Sequence, residues 1–275
     1  GDSTVFVFSR DTSGIVINNT PLTSSGSLNY GLYSAGNVVN KADINYSSGI
    51  GNVGIYSIEN GNVKNYATID VGSSDRDNKY YSIGMAAGYY NENTRRIEQT
   101  GAVENHGTIN VNNDYGIGMY AVGAGSKAVN YGHINLLGSE TVGMYIDRGA
   151  VGENWGTIQT TASGLKSIKG VYVANGGYIK NYGVINIAAS DSQSAGIWTD
   201  KAENAEEHAT GVNPTTGGNQ TGTSTPAMKV ATASDMKDMG GRTIKVPPRV
   251  TSPIVTDVNG SPIPIYQVDT NAATP

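Results

Sequence analysis

Cysteine is absent from the 275 residues. That excludes disulfide bridges and thiolate chemistry, and it suits a β-rich chain that must cross a membrane unfolded. Charge is scarce. Only 15% of residues are charged, and 18 bases against 23 acids leave a net charge of −5. A nucleic-acid binder wants a basic footprint, so that class is excluded. No apolar run reaches the roughly 20 residues of a membrane span, and no signal peptide opens the chain. We therefore expect no direct membrane insertion of this segment. We also expect Gly1 to be a cut end, with more of a longer protein on both sides. Phe is nearly missing, at 2 residues, while Tyr reaches 17, an aromatic that tolerates water at one edge. Eight of the nine prolines fall beyond residue 210.

What is present is a repeat. Val63-Lys64-Asn65-Tyr66-Ala67-Thr68-Ile69 returns as Val103-Glu104-Asn105-His106-Gly107-Thr108-Ile109 and as Ala128-Val129-Asn130-Tyr131-Gly132-His133-Ile134. It returns again at Glu153-Asn154-Trp155-Gly156-Thr157-Ile158 and at Ile179-Lys180-Asn181-Tyr182-Gly183-Val184-Ile185, and a worn copy surrounds Asn40. A second motif alternates with it, glycine–aliphatic–aromatic, from Gly31-Leu32-Tyr33 to Gly196-Ile197-Trp198. The motif glycines lie 23, 30, 34, 25, 27 and 26 residues apart. The unit is therefore about 25 residues, with two insertions in the region 72–100. Alternation is at period two, not at helical spacing. Three short strands with tight corners fill such a unit. That is one coil of a parallel β-helix, paired with the next at about 4.8 Å.

Parity assigns the faces. Two residues before each repeat Asn the side chain is mostly apolar and so inward. One residue before, it is largely charged and so outward. The asparagines themselves then form one internal column: Asn40, Asn65, Asn105, Asn130, Asn154 and Asn181. Stacked amides can satisfy one another by repetition. The next position points out and carries Tyr66, His106, Tyr131, Trp155 and Tyr182. A corner follows, often Gly, as a left-handed turn would require. Four residues after the Asn stand Ile44, Ile69, Ile109, Ile134, Ile158 and Ile185, an inward apolar column.

The expected organisation is all-β: a single-stranded parallel β-helix with loop insertions and a C-terminal extension that contains a β-hairpin. Residues 1–30 form an irregular first coil. Residues 31–199 form regular coils, with insertions at 72–80 and 88–100. Residues 200–275 form a Thr/Gly/Pro-rich extension. The pattern stops after Trp198, and Asn259-Gly260 signals a hairpin over 251–268. The extension should leave the solenoid at the same corner as the second insertion, four coils further on.

Catalysis finds little support. Glycan-cleaving β-helix enzymes need clustered carboxylates, and here the acids are scattered. Asp75 and Asp77 share a loop with Asn78 and could hold a weak calcium ion, but the spacing is not that of an EF-hand. No His pair has zinc spacing, so neither a metal nor a cofactor is expected. His133 and His208 read as surface residues, and Glu203, Glu206 and Glu207 as a solvated turn or short helix. Two surface features are candidate binding sites. The first is the outward column with Tyr131, Trp155 and Tyr182: an external ladder supporting strand pairing, or a row of flat faces for sugar or peptide stacking. The second is Tyr89, Tyr90, Arg95 and Arg96 on the second insertion, residue types enriched at binding hot spots.

The Gly-(Met/Ile/Val)-Tyr and Asn-(Tyr/Trp)-Gly-Thr/Val-Ile-Asn units resemble the passenger repeats of large type V autotransporters, above all the fusobacterial RadD-like adhesins. The resemblance covers about 60% of the chain, Gly31 to Trp198. It implies a right-handed β-helix on the extracellular face of the outer membrane, a virulence-type adhesin attaching to a protein or glycan receptor on bacteria or host cells. No binding residue carries over, because the shared motif is the scaffold. A polysaccharide-degrading enzyme and a self-associating, cell-aggregating protein are the alternative readings.

Overall fold

Three runs of alternating apolar residues per repeat, with tight corners between them, make each repeat one turn of a solenoid. The computed structural model describes residues 5–9, 14–189, 191–208, 219–221, 227–239, 242, 255–256, 259, 262–263 and 267–268. Parallel strands stack as a β-solenoid of about eight turns. The glycine motifs build a ten-stranded sheet, and the asparagine and isoleucine runs build one eight-stranded sheet each. These are called here the glycine, asparagine and isoleucine sheets.

Register sets like on like. Val103, Glu104 and Asn105 lie beside Ala128, Val129 and Asn130, which lie beside Gly152, Glu153 and Asn154. Ile109 neighbours Ile134, and Ile134 neighbours Ile158. All six isoleucines of that column are 0% exposed, and each contributes roughly 1.5–3 kcal/mol by burial. Strand Gly61–Asn65 pairs directly with Gly101–Asn105, so the insertions between them add loops and no rung.

The corner glycines are there for a different reason than a left-handed turn. Gly107, Gly132, Gly156 and Gly183 are not among the positive-φ residues. Their constraint is close approach between rungs: a Cβ on Gly132 would meet the Gly107 carbonyl oxygen at 2.0 Å, and one on Gly156 the Gly132 oxygen at 2.1 Å. Left-handed backbone occurs elsewhere, for example at Asn175 and Gly176, between the glycine and asparagine sheets.

The coils run past both ends of the motif series. Val5–Ser9, Ile15–Asn18 and Leu22–Thr23 make a full first turn in register with the second. The chain does not leave at Trp198. Ala205–Glu207 pairs with Tyr178–Asn181, Asn219–Thr221 with Val184–Ile187, and Met228–Val230 with Ala195–Thr199. Glu206 and Glu207 therefore lie on a strand, preceded by the 3-10 turn Ala202–Asn204, and not in a solvated turn. Backbone ladders hold this last rung even though the Asn-aromatic-Gly signature is gone. Among the described residues the last solenoid strand is Met228–Val230, on the glycine sheet, one turn beyond Trp198. Most of the Thr/Gly/Pro-rich stretch 213–225 lies outside the described residues. In the tail, Val255–Thr256 pairs antiparallel with Pro262–Ile263. Gln267–Val268 pairs antiparallel with Val5–Ser9 and covers the first edge of the glycine sheet.

Among the described residues there are two apolar cores. One fills the solenoid with the isoleucine, valine and methionine columns. The other lies on the outer face of the glycine sheet, where Tyr33, Tyr56, Tyr120, Tyr145, Tyr172 and Trp198 are all buried. So the motif tyrosines do not keep a wet edge. Tyr90, Ile97, Tyr115 and Met236, from the second insertion, a neighbouring loop and the tail, pack against them.

Candidate binding surface

Polar side chains in this fold are organised into columns. Inside, the Nδ2 of Asn40, Asn65, Asn105, Asn130 and Asn154 each donates to the Oδ1 of the next asparagine, at 2.9–3.0 Å. Each Asn also closes its own corner. The Gly107 N–H donates to Asn105 Oδ1 at 3.2 Å, and Asn65 Nδ2 donates to the Ala67 carbonyl at 2.9 Å. Both ends of the ladder lie outside the repeat motif. Asn18 precedes Asn40 in the ladder, at 2.9 Å. Asn181 Nδ2 ends it on the two oxygens of Glu207, each at 3.0 Å.

A second ladder runs outside, on the isoleucine sheet. Gln159 donates to Asn135, Asn135 to Asn110 and Asn110 to Asp70, at 2.9–3.0 Å. Its signal was the recurrence of Asp or an amide five residues after each repeat Asn.

The outward aromatics form a stacked ridge. Centroid separations from Tyr66 through His106, Tyr131, Trp155 and Tyr182 to His208 are 4.6, 4.9, 6.4, 4.0 and 4.7 Å. Interplanar angles are 7°, 14°, 17°, 11° and 5°. Ring faces therefore lie against ring faces along most of the ridge, with a wider step between Tyr131 and Trp155, each 47% exposed. His208, read from sequence as a lone surface residue, is the sixth ring, and its Nε2 lies 2.8 Å from Glu206. His106 Nε2 lies 2.6 Å from Glu104.

The second insertion is a hairpin of Tyr89–Asn91 and Arg96–Gln99. It divides its four candidate residues. Tyr89 is 7% exposed. Tyr90 lies 3.8 Å beneath the Arg148 guanidinium. Arg95, at φ +56° in the turn, and Arg96 are exposed. The tyrosines thus anchor the hairpin and the arginines project. Arg148 also binds Asp147, which accepts a hydrogen bond from Asn175 at 2.8 Å; burial still pushes the Asp147 carboxyl up. The two insertions leave opposite ends of strand Ile83–Ala87 and meet at Lys79–Glu92, 3.5 Å apart. In the first, Asp75 accepts from Asn78 N–H and Nδ2 at 3.1 and 2.7 Å, so its carboxylate pins the loop. Among the described residues no three His, Asp or Glu side chains are grouped as metal ligands.

A buried cationic group closes the far end of the outer core. Lys169 Nζ sits 4.3 Å from the Trp198 ring centre and Lys229 Nζ 4.5 Å from it. Burial lowers Lys169 to about 8. Arg242, from the tail, is buried between Tyr81 and Tyr115 and donates to the Tyr115 carbonyl at 3.3 Å.

Residues 4–155 match the family model of the BigA third pectate lyase-like domain. Searches of curated proteins and of solved structures each returned no match. The matched stretch takes in the first six rungs of the amide ladder and the ridge as far as Trp155, more than half of the chain. On that match and this solenoid, the chain belongs to the BigA third pectate lyase-like domain family and is a segment of the autotransporter passenger type.

Proposed function

We propose that this chain is a non-catalytic segment of a surface-displayed adhesin, in which the coils are a rigid platform and the paired insertions are the contact for a receptor on bacteria or host cells. The observation that carries this reading is how the side chains are divided. Repeat residues bind one another, rung on rung, inside and out. Exposed non-repeating chemistry gathers where the insertions meet: Arg76 and the Lys79–Glu92 pair, with Arg95 and Arg96 at the turn. Loops held on a rigid scaffold commonly carry function, and Arg is a frequent hot-spot residue. BigA is itself an autotransporter-type adhesin, which supports type V secretion, outer-membrane display and a part in virulence. The narrower likeness to RadD-like adhesins rests on the repeat motif alone. Tyr131, Trp155 and Tyr182 would contribute the exposed parts of their rings.

Polysaccharide cleavage is the second reading, favoured by the pectate lyase-like character of the family. It needs two acids facing one groove. Acids along the coils are engaged one by one. Glu104 bonds His106, Glu153 bonds Lys127, Glu206 bonds Tyr178 and His208, and Asp70 and Glu207 end ladders. One panel separates the readings. The purified chain is applied to bacterial and host cells and to polysaccharides. Attachment without release of reducing ends supports the adhesin; release of reducing ends overturns it.

A further inference from the structure

The outer face of the asparagine sheet has a charge sequence that fits a second copy of itself. One residue before each ladder position, the outward column reads Ile17, Val39, Lys64, Glu104, Val129, Glu153, Lys180 and Glu206, on consecutive paired strands; its charged members are half-buried and Val129 is buried. Beside it runs the aromatic ridge, where Tyr66, Tyr131 and Trp155 are 50%, 47% and 47% exposed. Successive ring planes along the ridge differ by no more than 17°, so its members follow one another in regular order. Parallel strands in unbroken register present this order along the whole wall, so one copy can lie along another.

Two symmetric arrangements bring the same face of two copies together. With the two-fold axis along the solenoid, each rung meets its own copy, and Lys64 faces Lys64. With the axis along the strands, columns stay over columns and rungs run in opposite order. Placing that axis between the Val129 and Glu153 rungs sets Glu104 over Lys180 and Lys64 over Glu206. Each pair occurs twice, and Tyr131 lies over Trp155. Moving the axis half a rung towards the first coil sets Glu104 over Glu153 and Lys64 over Lys180. Moving it half a rung the other way sets Glu104 over Glu206. Among the described residues neither Lys64 nor Lys180 closes an ion pair within its own chain, although Lys64 stands beside Glu104, and Lys180 between Glu153 and Glu206, on the same sheet.

We propose that the asparagine-sheet wall is a self-association surface and that its partner is a second copy of this chain, antiparallel, in the register that pairs Glu104 with Lys180 and Lys64 with Glu206. Six rungs span about 29 Å and a strand about 16 Å. The wall is thus small beside the ~800 Å² per partner of a standard interface, and the isolated contact is weak. Many copies on one surface would strengthen it by multivalency. The inference uses the platform reading only for that display. Association is measured on the purified chain, so it can fail while attachment to other cells stands, or the reverse.

The test is sedimentation of the full chain across concentration, at low and high salt. We expect a monomer–dimer equilibrium that weakens as salt rises. K180E should weaken it by about tenfold or more, because like charges then face each other twice. The double reversal E104K/K180E should restore it, and K64E/E206K should behave in the same way against K64E alone. Circular dichroism of each variant checks the fold. A chain that stays monomeric throughout overturns the proposal. So does a dimer that ignores K180E, or a double reversal that fails to restore the loss.

Discussion

Asn181 donates its amide to both carboxylate oxygens of Glu207. A carboxylate accepts and cannot donate, so it fits only at the end where a ladder delivers its hydrogens. The internal ladder delivers them toward the last coil and ends on Glu207. The external ladder delivers them toward the first coil and ends on Asp70. The two amide columns therefore have opposite polarity, and each is terminated by an acid at its accepting end. That predicts a contrast between two near-isosteric changes. Asn130→Asp puts an acceptor against Asn154 Oδ1 inside the solenoid and should cost about 3–5 kcal/mol, as for an unpaired buried charge. Glu207→Gln keeps an acceptor at the end and should cost roughly 1 kcal/mol. Urea unfolding of both variants measures the difference.

Close approach, not φ, fixes the corner glycines. Gly132→Ala brings a Cβ to 2.0 Å from a backbone oxygen and should cost about 2–3 kcal/mol or more. Gly176→Ala, at φ +81° with nothing within 4 Å, should cost about 1 kcal/mol. The reverse order in thermal denaturation would contradict the rung-contact account.

Tyr46 lies inside the solenoid, 0% exposed, with a hydroxyl that has no hydrogen-bond partner. A buried hydroxyl without a partner is a cost. Tyr46→Phe keeps the ring against Phe6, 5.6 Å away, and should stabilise the chain by about 1 kcal/mol. Equilibrium unfolding reads the sign.

Lys169 gives stability a pH dependence. Its folded value of about 8 lies below its ordinary 10.5, so between those values the unfolded chain holds more protons. Stability then rises with pH in that window. Below about 8 both states are protonated and the full cost of the buried charge remains. The buried tyrosines, raised by burial, act in the opposite direction once the unfolded phenols ionise near 10. The clean window is therefore pH 8 to 9.5. The urea midpoint should rise across it, and Lys169→Met should flatten that rise.

The interior was legible in the sequence because its signal is repetition. The isoleucine column, the amide column and the parity between them follow from a period of two inside a period near 25. The ends were not legible, because the last position of an amide ladder has different chemistry from the rest. Glu207 and His208 do the work of an Asn-Tyr pair without resembling one, and Asn18 lacks the aromatic and the glycine after it. The ridge was seen as a column, but not as rings stacked face to face, which depends on the separation of the rungs. The outer core was hidden because it needs the second insertion, a neighbouring loop and the tail to cover tyrosines that alternation alone would leave in water. Tyr89 and Tyr90 were grouped with Arg95 and Arg96 by proximity in sequence, yet a hairpin puts its base and its turn in different environments.

The most direct test of the central claim is attachment of the purified chain to a panel of bacterial and host cells, native against the double variant Arg95→Glu/Arg96→Glu. Both residues are exposed on a hairpin turn outside the coils, so the β-sheet spectrum and melting temperature should not change. The account predicts that attachment is lost while the fold persists. Undiminished attachment by the double variant would contradict it.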